Sequence, residues 1–192
     1  DGQTLYLGGE FTTLNNQTAW RVGAVRAADG QRVPLGASAN NSVKALSVSA
    51  NGQTLYIGGA FTQINSSARQ RVAAINLSTQ KVTGFAPKID NYYVRSIVEA
   101  TDGSAVAIGG AFESVGGSDK PGHGIAIFET DGTLRKNNVS SVVRGAGAEA
   151  SVMSVKADEQ GLYAASYSRL GTFEGVMRLN WTTGNIDYMA DC

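Results

Sequence analysis

The stretch Leu55-Tyr56-Ile57-Gly58-Gly59-Ala60-Phe61-Thr62 decides how the rest of this sequence is interpreted. Its apolar run, diglycine and phenylalanine predict a buried strand, because the glycines let another backbone or a bulky side chain approach closely. The same pattern occurs at residues 5–12 and, more loosely, at residues 106–113. The first glycines of the three copies lie 50 and then 51 residues apart, a period typical of stacked supersecondary units.

Three further strands are predicted around the second copy. Residues 43–49 alternate between apolar and polar or small side chains, and residues 71–77 and 81–85 form two more short apolar runs. The dipeptide Asn51-Gly52 predicts a type I′ hairpin turn, in which both central residues have positive φ. Four antiparallel strands within about 50 residues predict one blade of a β-propeller.

The whole chain, residues 1–192, is predicted to be one all-β propeller region of about four blades. A partial blade covers residues 1–42, and the others cover 43–92, 93–151 and 152–192, where Ala165-Ser166 replaces the diglycine. The first blade lacks a strand equivalent to residues 43–49. Because folded proteins normally avoid open sheet edges, we expect a larger propeller, completed by the rest of a longer chain or by a neighbouring copy.

The composition excludes several classes of protein. Sixteen basic and sixteen acidic residues give zero formal net charge, which argues against a nucleic-acid-binding surface. The sequence has no apolar run near the roughly 20 residues that a membrane helix needs. His123 is the only histidine and Cys192 the only cysteine, which largely removes the usual zinc sites. We predict no metal and no cofactor, and Cys192 is either an incidental thiol or one whose partner lies outside this sequence.

Propeller topology assigns the loops to two opposite faces. The turns between first and second and between third and fourth strands are short, whereas the remaining loops are long and share the other face. These long segments are residues 12–20, 62–70, 113–122 and 167–175, and the connections 36–42, 86–93 and 137–151. Because binding residues tend to lie on loops of a rigid scaffold, we expect the ligand site on the long-loop face. The connection 137–151 is the longest and stretches the spacing to 56 residues between Val106 and Leu162.

Aromatic and cationic residues on that face form the predicted ligand-binding set. Aromatic rings beside polar and cationic groups suit sugar rings or peptide segments. Three members occupy equivalent positions at the start of the third strand, where bonding of the neighbouring loop is the alternative role, and packing between blades is the alternative for Trp20 and Tyr93. The complete set is Trp20, Arg21, Arg71, Tyr92, Tyr93, His123 and Arg144.

No catalytic residue is predicted. Glu10, Glu113 and Glu174 lie near the diglycine positions, so a glycosidase-like pair of acids is an alternative that depends on the separation of the carboxyl groups. The second copy has Ala60 where the first has Glu10, so this acid is not a fixed feature of the repeat. Trp181, inside the strand predicted over residues 176–181, is expected in the core.

The repeat resembles a known family. Residues 5–12 and 55–62, the runs Arg21-Val22-Gly23-Ala24-Val25 and Arg71-Val72-Ala73-Ala74-Ile75, and the segment 82–87 are similar to the delta-sixty repeat of bacterial secreted or surface proteins. The diglycine also resembles that of the kelch repeat. The resemblance implies a propeller in an extracellular setting that serves as a non-enzymatic binding or scaffold module for a glycan or a protein. The alternatives are a carbohydrate-active hydrolase or lyase and a structural subunit of an extracellular assembly.

Overall fold

The computed structural model describes residues 2–143, 150–168 and 173–191. The fold is all-β, and four antiparallel sheets follow one another along the chain. Apart from one turn of 3-10 helix at Val139–Ser141, the described residues contain no helix, and none that could cross a membrane. Arg144 and Cys192 lie outside the described residues.

The first sheet has three strands. It begins with β1 (Thr4–Gly8), continues through a small hairpin of β2 (Thr13–Leu14) and β3 (Gln17–Thr18), and ends with β4 (Val22–Arg26) and β5 (Arg32–Val33). The strand order is β1-β4-β5, so the sheet has no counterpart of the first strand of the second sheet. Leu5 is consequently 55% exposed, whereas Leu55 at the equivalent position of the second sheet is fully buried.

The second sheet contains all four predicted strands. Its elements are β6 (Val43–Val48), β7 (Thr54–Gly59), the small hairpin of β8 (Gln63–Ile64) and β9 (Ser67–Ala68), β10 (Val72–Asn76) and β11 (Lys81–Val82). The order β6-β7-β10-β11 is a simple meander, as the repeat predicted. The two hairpins, β2-β3 and β8-β9, show that the long loops over residues 12–20 and 62–70 are partly regular.

The third sheet has one strand fewer than predicted. It consists of β12 (Val94–Glu99), β13 (Ala105–Gly110) and β14 (Ile125–Glu129). By analogy with the second copy, the sequence predicts a fourth strand over residues 133–136, and this strand is reduced to a single bridge between Phe128 and Leu134. The side chain of Arg135 in this segment binds Glu129 and carbonyl groups of other elements, as described below.

The fourth sheet has four strands in sequential order. They are β15 (Ala150–Asp158), β16 (Gly161–Ser168), β17 (Gly175–Leu179) and β18 (Ile186–Asp191). The predicted place of Trp181 within the third strand was wrong, because β17 ends at Leu179 and Trp181 lies in the following turn. Its side chain is nevertheless partly buried against the core between the third and fourth sheets.

The Asn51-Gly52 turn also differs from its prediction. Ser49 and Thr54 close a four-residue loop, and Gly52 has a φ of 71° whereas Asn51 does not have a positive φ. The Asn51 carboxamide oxygen accepts hydrogen bonds from the Gln53 amide and the Ser49 hydroxyl. This local side-chain bonding favours the longer turn over the type I′ turn.

The hydrophobic core is divided among the three interfaces between consecutive sheets. One cluster joins the first and second sheets, the next joins the second and third, and the last joins the third and fourth. The first strands of the last three sheets, β6, β12 and β15, are spatial neighbours in that order. The Ser96 hydroxyl of β12 accepts a hydrogen bond from the Val155 amide of β15 at 3.0 Å.

The first glycine of each diglycine makes room for a valine of the following sheet. A Cβ atom on Gly58 would lie 2.6 Å from Cγ1 of Val94, and the same relation joins Gly8 to Val43 and Gly109 to Val152. The second glycine has a different neighbour, since a Cβ on Gly59 would collide with the Ser42 carbonyl. The diglycines therefore recur in the sequence because the same glycine–valine contact recurs at three interfaces between sheets.

A bidentate ion pair replaces the missing strand pairing of the third sheet. Arg135 Nε and Nη2 donate to Glu129 Oε1 and Oε2 at 2.6 and 2.8 Å, and Arg135 also donates to the carbonyls of Ser104 and Trp181. These hydrogen bonds from Arg135 hold the pKa of Glu129 below its ordinary value of 4.5.

The Glu129–Arg135 pair predicts a loss of stability in acid. Because the pKa of Glu129 is lowered in the folded protein, its stabilising contribution is present above pH 4.5 and is lost as the pH falls through the lowered value. Glu129→Gln should therefore reduce the difference between the urea midpoints measured at pH 7 and pH 3. The exposed Glu159 provides the matched Glu→Gln control, and an equal effect of both substitutions would contradict the prediction.

Candidate functional site

Arg71 binds the loop that joins the second and third sheets. Its Nε donates to the Tyr92 carbonyl and its Nη1 to the Ile89 carbonyl, both at 2.6 Å. Partial burial lowers the pKa of the Arg71 guanidinium, and Asp90 opposes this shift. Arg71 itself has a φ of 69°, which directs the chain from the β8-β9 hairpin into β10. The side chain thus fixes the segment from which Tyr92 and Tyr93 project.

Arg21 has the equivalent position in the first sheet and makes a similar contact. Its φ is 65°, and its Nη1 donates to the Ala39 carbonyl at 3.1 Å in the next connection. Its guanidinium carbon lies 5.6 Å from the centroid of the Trp20 ring. The bonding of a neighbouring loop, weighed from the sequence as the alternative role of Arg21 and Arg71, is thus present at both positions.

Trp20 and Tyr92 are two exposed aromatic residues at this end of the sheets. Trp20 is 46% exposed and lies two residues before β4, and Tyr92 is 45% exposed and lies two residues before β12. Because the strands are antiparallel, the beginnings of β4, β6, β10 and β12 all lie at the end where β1, β7 and β13 finish. Both rings are therefore available at the same end of the sheets.

Tyr93 is surrounded by two cations that the sequence did not single out. Lys44 Nζ and Arg95 Cζ lie 5.4 and 5.3 Å from the centroid of its ring, and Arg95 Nη2 donates to the Tyr93 hydroxyl at 2.7 Å. Lys44 belongs to β6 and Arg95 to β12, so the group joins the first strands of two sheets. We call Lys44, Tyr93 and Arg95 the cation–tyrosine cluster.

A bulge in each first strand explains how these cations come together. The pairing register shifts between Val43 and Ala45 and between Val94 and Ser96, which takes Lys44 and Arg95 out of the ladder. A corresponding shift in register occurs in β15 at Met153. Met153 is 41% exposed. Since a bulge re-aims the side chain of its extra residue, the three shifts present Lys44, Arg95 and Met153 at one level of neighbouring strands. Nothing in the local sequence pattern indicates a bulge, which is why the cations were missed.

The remaining predicted site residues are not part of this cluster. His123 is buried, and its amide and that of Gly122 donate to the Ser140 hydroxyl at 3.2 and 3.1 Å. Glu113 accepts a hydrogen bond from Asn91 at 2.9 Å, while Glu10 and Glu174 are exposed. Arg144 lies outside the described residues. Among the residues that the structure describes, no group of three or more histidine, cysteine, aspartate or glutamate side chains could hold a metal ion.

A cleft of about 450 Å³ lies at the opposite end, among the short turns of the second and third sheets. Its lining includes Tyr56 and Glu99, and Glu99 accepts hydrogen bonds from the Tyr56 hydroxyl at 3.2 Å and the Ala50 amide at 2.7 Å. Burial, and then the Glu99 charge, raise the pKa of Tyr56. Loop length pointed only to the other face, so the sequence did not indicate this cleft. The positions equivalent to Glu99 in the second and fourth sheets are Val48 and Ala157, which carry no acid. Glu99 therefore joins the second and third sheets at the lining of the cleft.

Comparisons with known proteins show the fold alone. No family model matches the chain, and no curated protein matches it. Among solved structures, the chain is similar to hydrazine synthase of Kuenenia stuttgartiensis, with a TM-score of 0.55 and 13% identity over 98% of this chain. The chain spans 46% of the length of that structure. At this identity the likeness concerns the architecture of the backbone and not the activity.

Proposed function

We propose that this chain is part of a β-propeller and acts as a non-enzymatic binding or scaffold module of a secreted or surface protein. The ligand is a glycan or a protein, held at the end of the sheets that carries Trp20, Tyr92 and Tyr93. The delta-sixty resemblance and the division into blades remain predictions in this proposal.

Three features of the sheets favour the propeller. In a propeller, the first strand of each blade would be the innermost one. The first strands of the last three sheets, β6, β12 and β15, are neighbours here. Strand order within each sheet follows the chain. The same glycine–valine contact recurs between consecutive sheets, which gives each interface one geometry. Repeated units that contact their neighbours in one geometry are typical of propellers and other repeat folds.

The cation–tyrosine cluster is the observation that carries the binding role. It places a ring and two cations at the residue that follows exposed Tyr92 in the chain, and Trp20 is exposed at the same end of the sheets. Aromatic and arginine side chains dominate the energetic centres of binding surfaces. In contrast, Arg71 donates from two nitrogens and Arg21 from one nitrogen to loop carbonyls, which suits a positioning role.

Removal of the two exposed rings should weaken binding without changing the fold. We expect Trp20→Ala together with Tyr92→Ala to lower affinity at least tenfold for ligands found by a glycan array and by affinity capture, because loss of a central aromatic contact typically removes about 2 kcal/mol. The matched control is Tyr188→Ala, since Tyr188 is 59% exposed but lies on the outer strand of the fourth sheet. Turnover of a polysaccharide by the wild-type chain, with no partner captured, would overturn the proposal in favour of an enzyme.

A further inference from the structure

We infer that the cation–tyrosine cluster is a subsite for a sugar that carries a carboxylate or sulfate group. This inference rests on the proposed function, because it names the ligand class for the same end of the sheets. It assigns the anionic group to Lys44 and Arg95, and the sugar ring to Tyr93.

Among the residues that the structure describes, the two cations have no carboxylate as counter-ion. Both lie within 5.5 Å of one ring centroid, yet neither makes a salt bridge with any carboxylate of the described residues. An anionic group that reached either cation would gain a charge-assisted hydrogen bond that no carboxylate of the described residues supplies.

Arg95 retains donors for such a group. A guanidinium carries five N–H donors. One nitrogen, Nη2, donates to the Tyr93 hydroxyl, and Nε is buried with no hydrogen-bond acceptor among the described residues. Because Nε is buried, Nη1 is the nitrogen that remains to donate to an oxyanion.

Lys44 supplies the second charge, and its flexible side chain lies over the Tyr93 ring. It is exposed, and a cation–π contact at an exposed position is weak. Pairing of its ammonium group with an anion would draw the flexible side chain away from the Tyr93 ring. The freed ring offers an apolar surface to the C–H face of a sugar.

The backbone around the cluster favours a sugar over an acidic peptide. Extended peptides usually bind through main-chain hydrogen bonds. Here the Tyr93 carbonyl already accepts from the Ala111 amide, and the Tyr92 carbonyl accepts from Arg71. These two carbonyls are therefore occupied, and the side chains of the cluster offer two cations and a ring to a ligand.

The test compares ligands that differ only in charge or only in the sugar. We expect the wild-type chain to bind dextran sulfate and oligogalacturonate but not neutral dextran, with affinity that falls as salt is added. Lys44→Ala and Arg95→Ala should each weaken binding about tenfold, which corresponds to the loss of one charge-assisted contact. Tyr93→Ala should weaken binding to both saccharides, while Tyr93→Phe retains the ring and loses only the hydroxyl contact with Arg95.

The control is the double variant Lys81→Ala, Lys156→Ala, which removes two exposed positive charges from other strands. Circular dichroism and thermal unfolding identify any variant that has lost its fold, and in that case Arg95→Lys replaces Arg95→Ala. Equal binding of polyglutamate, insensitive to Tyr93→Ala, would overturn the inference in favour of a simple electrostatic patch. Binding of neutral glycans or proteins that does not depend on Lys44 and Arg95 would also overturn it, while leaving the proposed function intact.

Discussion

Replacing Phe61 by alanine should lower the free energy of unfolding by about 3–5 kcal/mol, the usual cost of removing a buried phenylalanine. Phe61 is fully buried in the core between the first and second sheets, together with Ile57 and Ile64. A cavity at this position would weaken the joint between two sheets as well as the packing within one. Chemical denaturation followed by circular dichroism would measure the change.

Phe11 provides a matched control for Phe61, because it has the same place in the first copy of the repeat. Its side chain is only partly buried. Phe11→Ala should therefore cost clearly less than Phe61→Ala, since less apolar surface returns to water. Equal destabilisation by the two substitutions would show that the repeat position, and not the burial in this structure, decides the energy.

Replacing Gly58 by alanine should destabilise the protein by about 1–3 kcal/mol, the range for overpacking a core. The new Cβ would lie 2.6 Å from Val94 Cγ1 and 3.4 Å from the Ala45 Cβ. Val94→Ala should relieve the collision, so the double variant should be more stable than the sum of the two single effects by about 1 kcal/mol. Comparison of unfolding midpoints for the four proteins of this cycle gives the coupling directly.

Two further glycines sharpen the test of Gly58. Gly84 has no heavy atom within 4 Å of its would-be Cβ and no positive φ, so Gly84→Ala should change stability by less than about 0.5 kcal/mol. A Cβ on Gly59 collides with the Ser42 carbonyl, and Val94→Ala should not rescue Gly59→Ala. If Gly58→Ala proved as harmless as Gly84→Ala, the two sheets would have to be more loosely packed than the structure shows.

The sheets could be predicted well from the sequence because the same pattern occurs three times. One short apolar run alone does not decide which structure it forms. The diglycine stretch alone is compatible with several structures, but three copies with the same flanking runs define the meander of the second sheet. The prediction failed where one copy departs from the others. In the third sheet Arg135 satisfies its hydrogen bonds with Glu129 and with carbonyls, so the expected strand shrinks to one bridge.

The candidate site was less predictable, since it depends on register. Tyr93 was named from the sequence, but Lys44 lies 49 residues away and reaches it only because β6 and β12 are neighbours. A one-residue shift in register moves a side chain to the other face of a sheet, and the bulges at Lys44 and Arg95 are such local shifts. Arg21 and Arg71 were predicted both as ligand residues and as loop-bonding residues, and the contacts with Ala39, Ile89 and Tyr92 carbonyls supply the second role.

The glycine–valine contact has a consequence for how such a protein can change its size. Each of the second and third sheets carries both halves of the joint: the valine that fits the sheet before it and the glycine that admits the sheet after it. A unit built in this way is interchangeable, because its two sides specify a neighbour of its own kind and not a particular position. Duplication or loss of a unit would leave every remaining joint intact. The number of sheets is therefore free to vary, because no single joint specifies how many sheets there are.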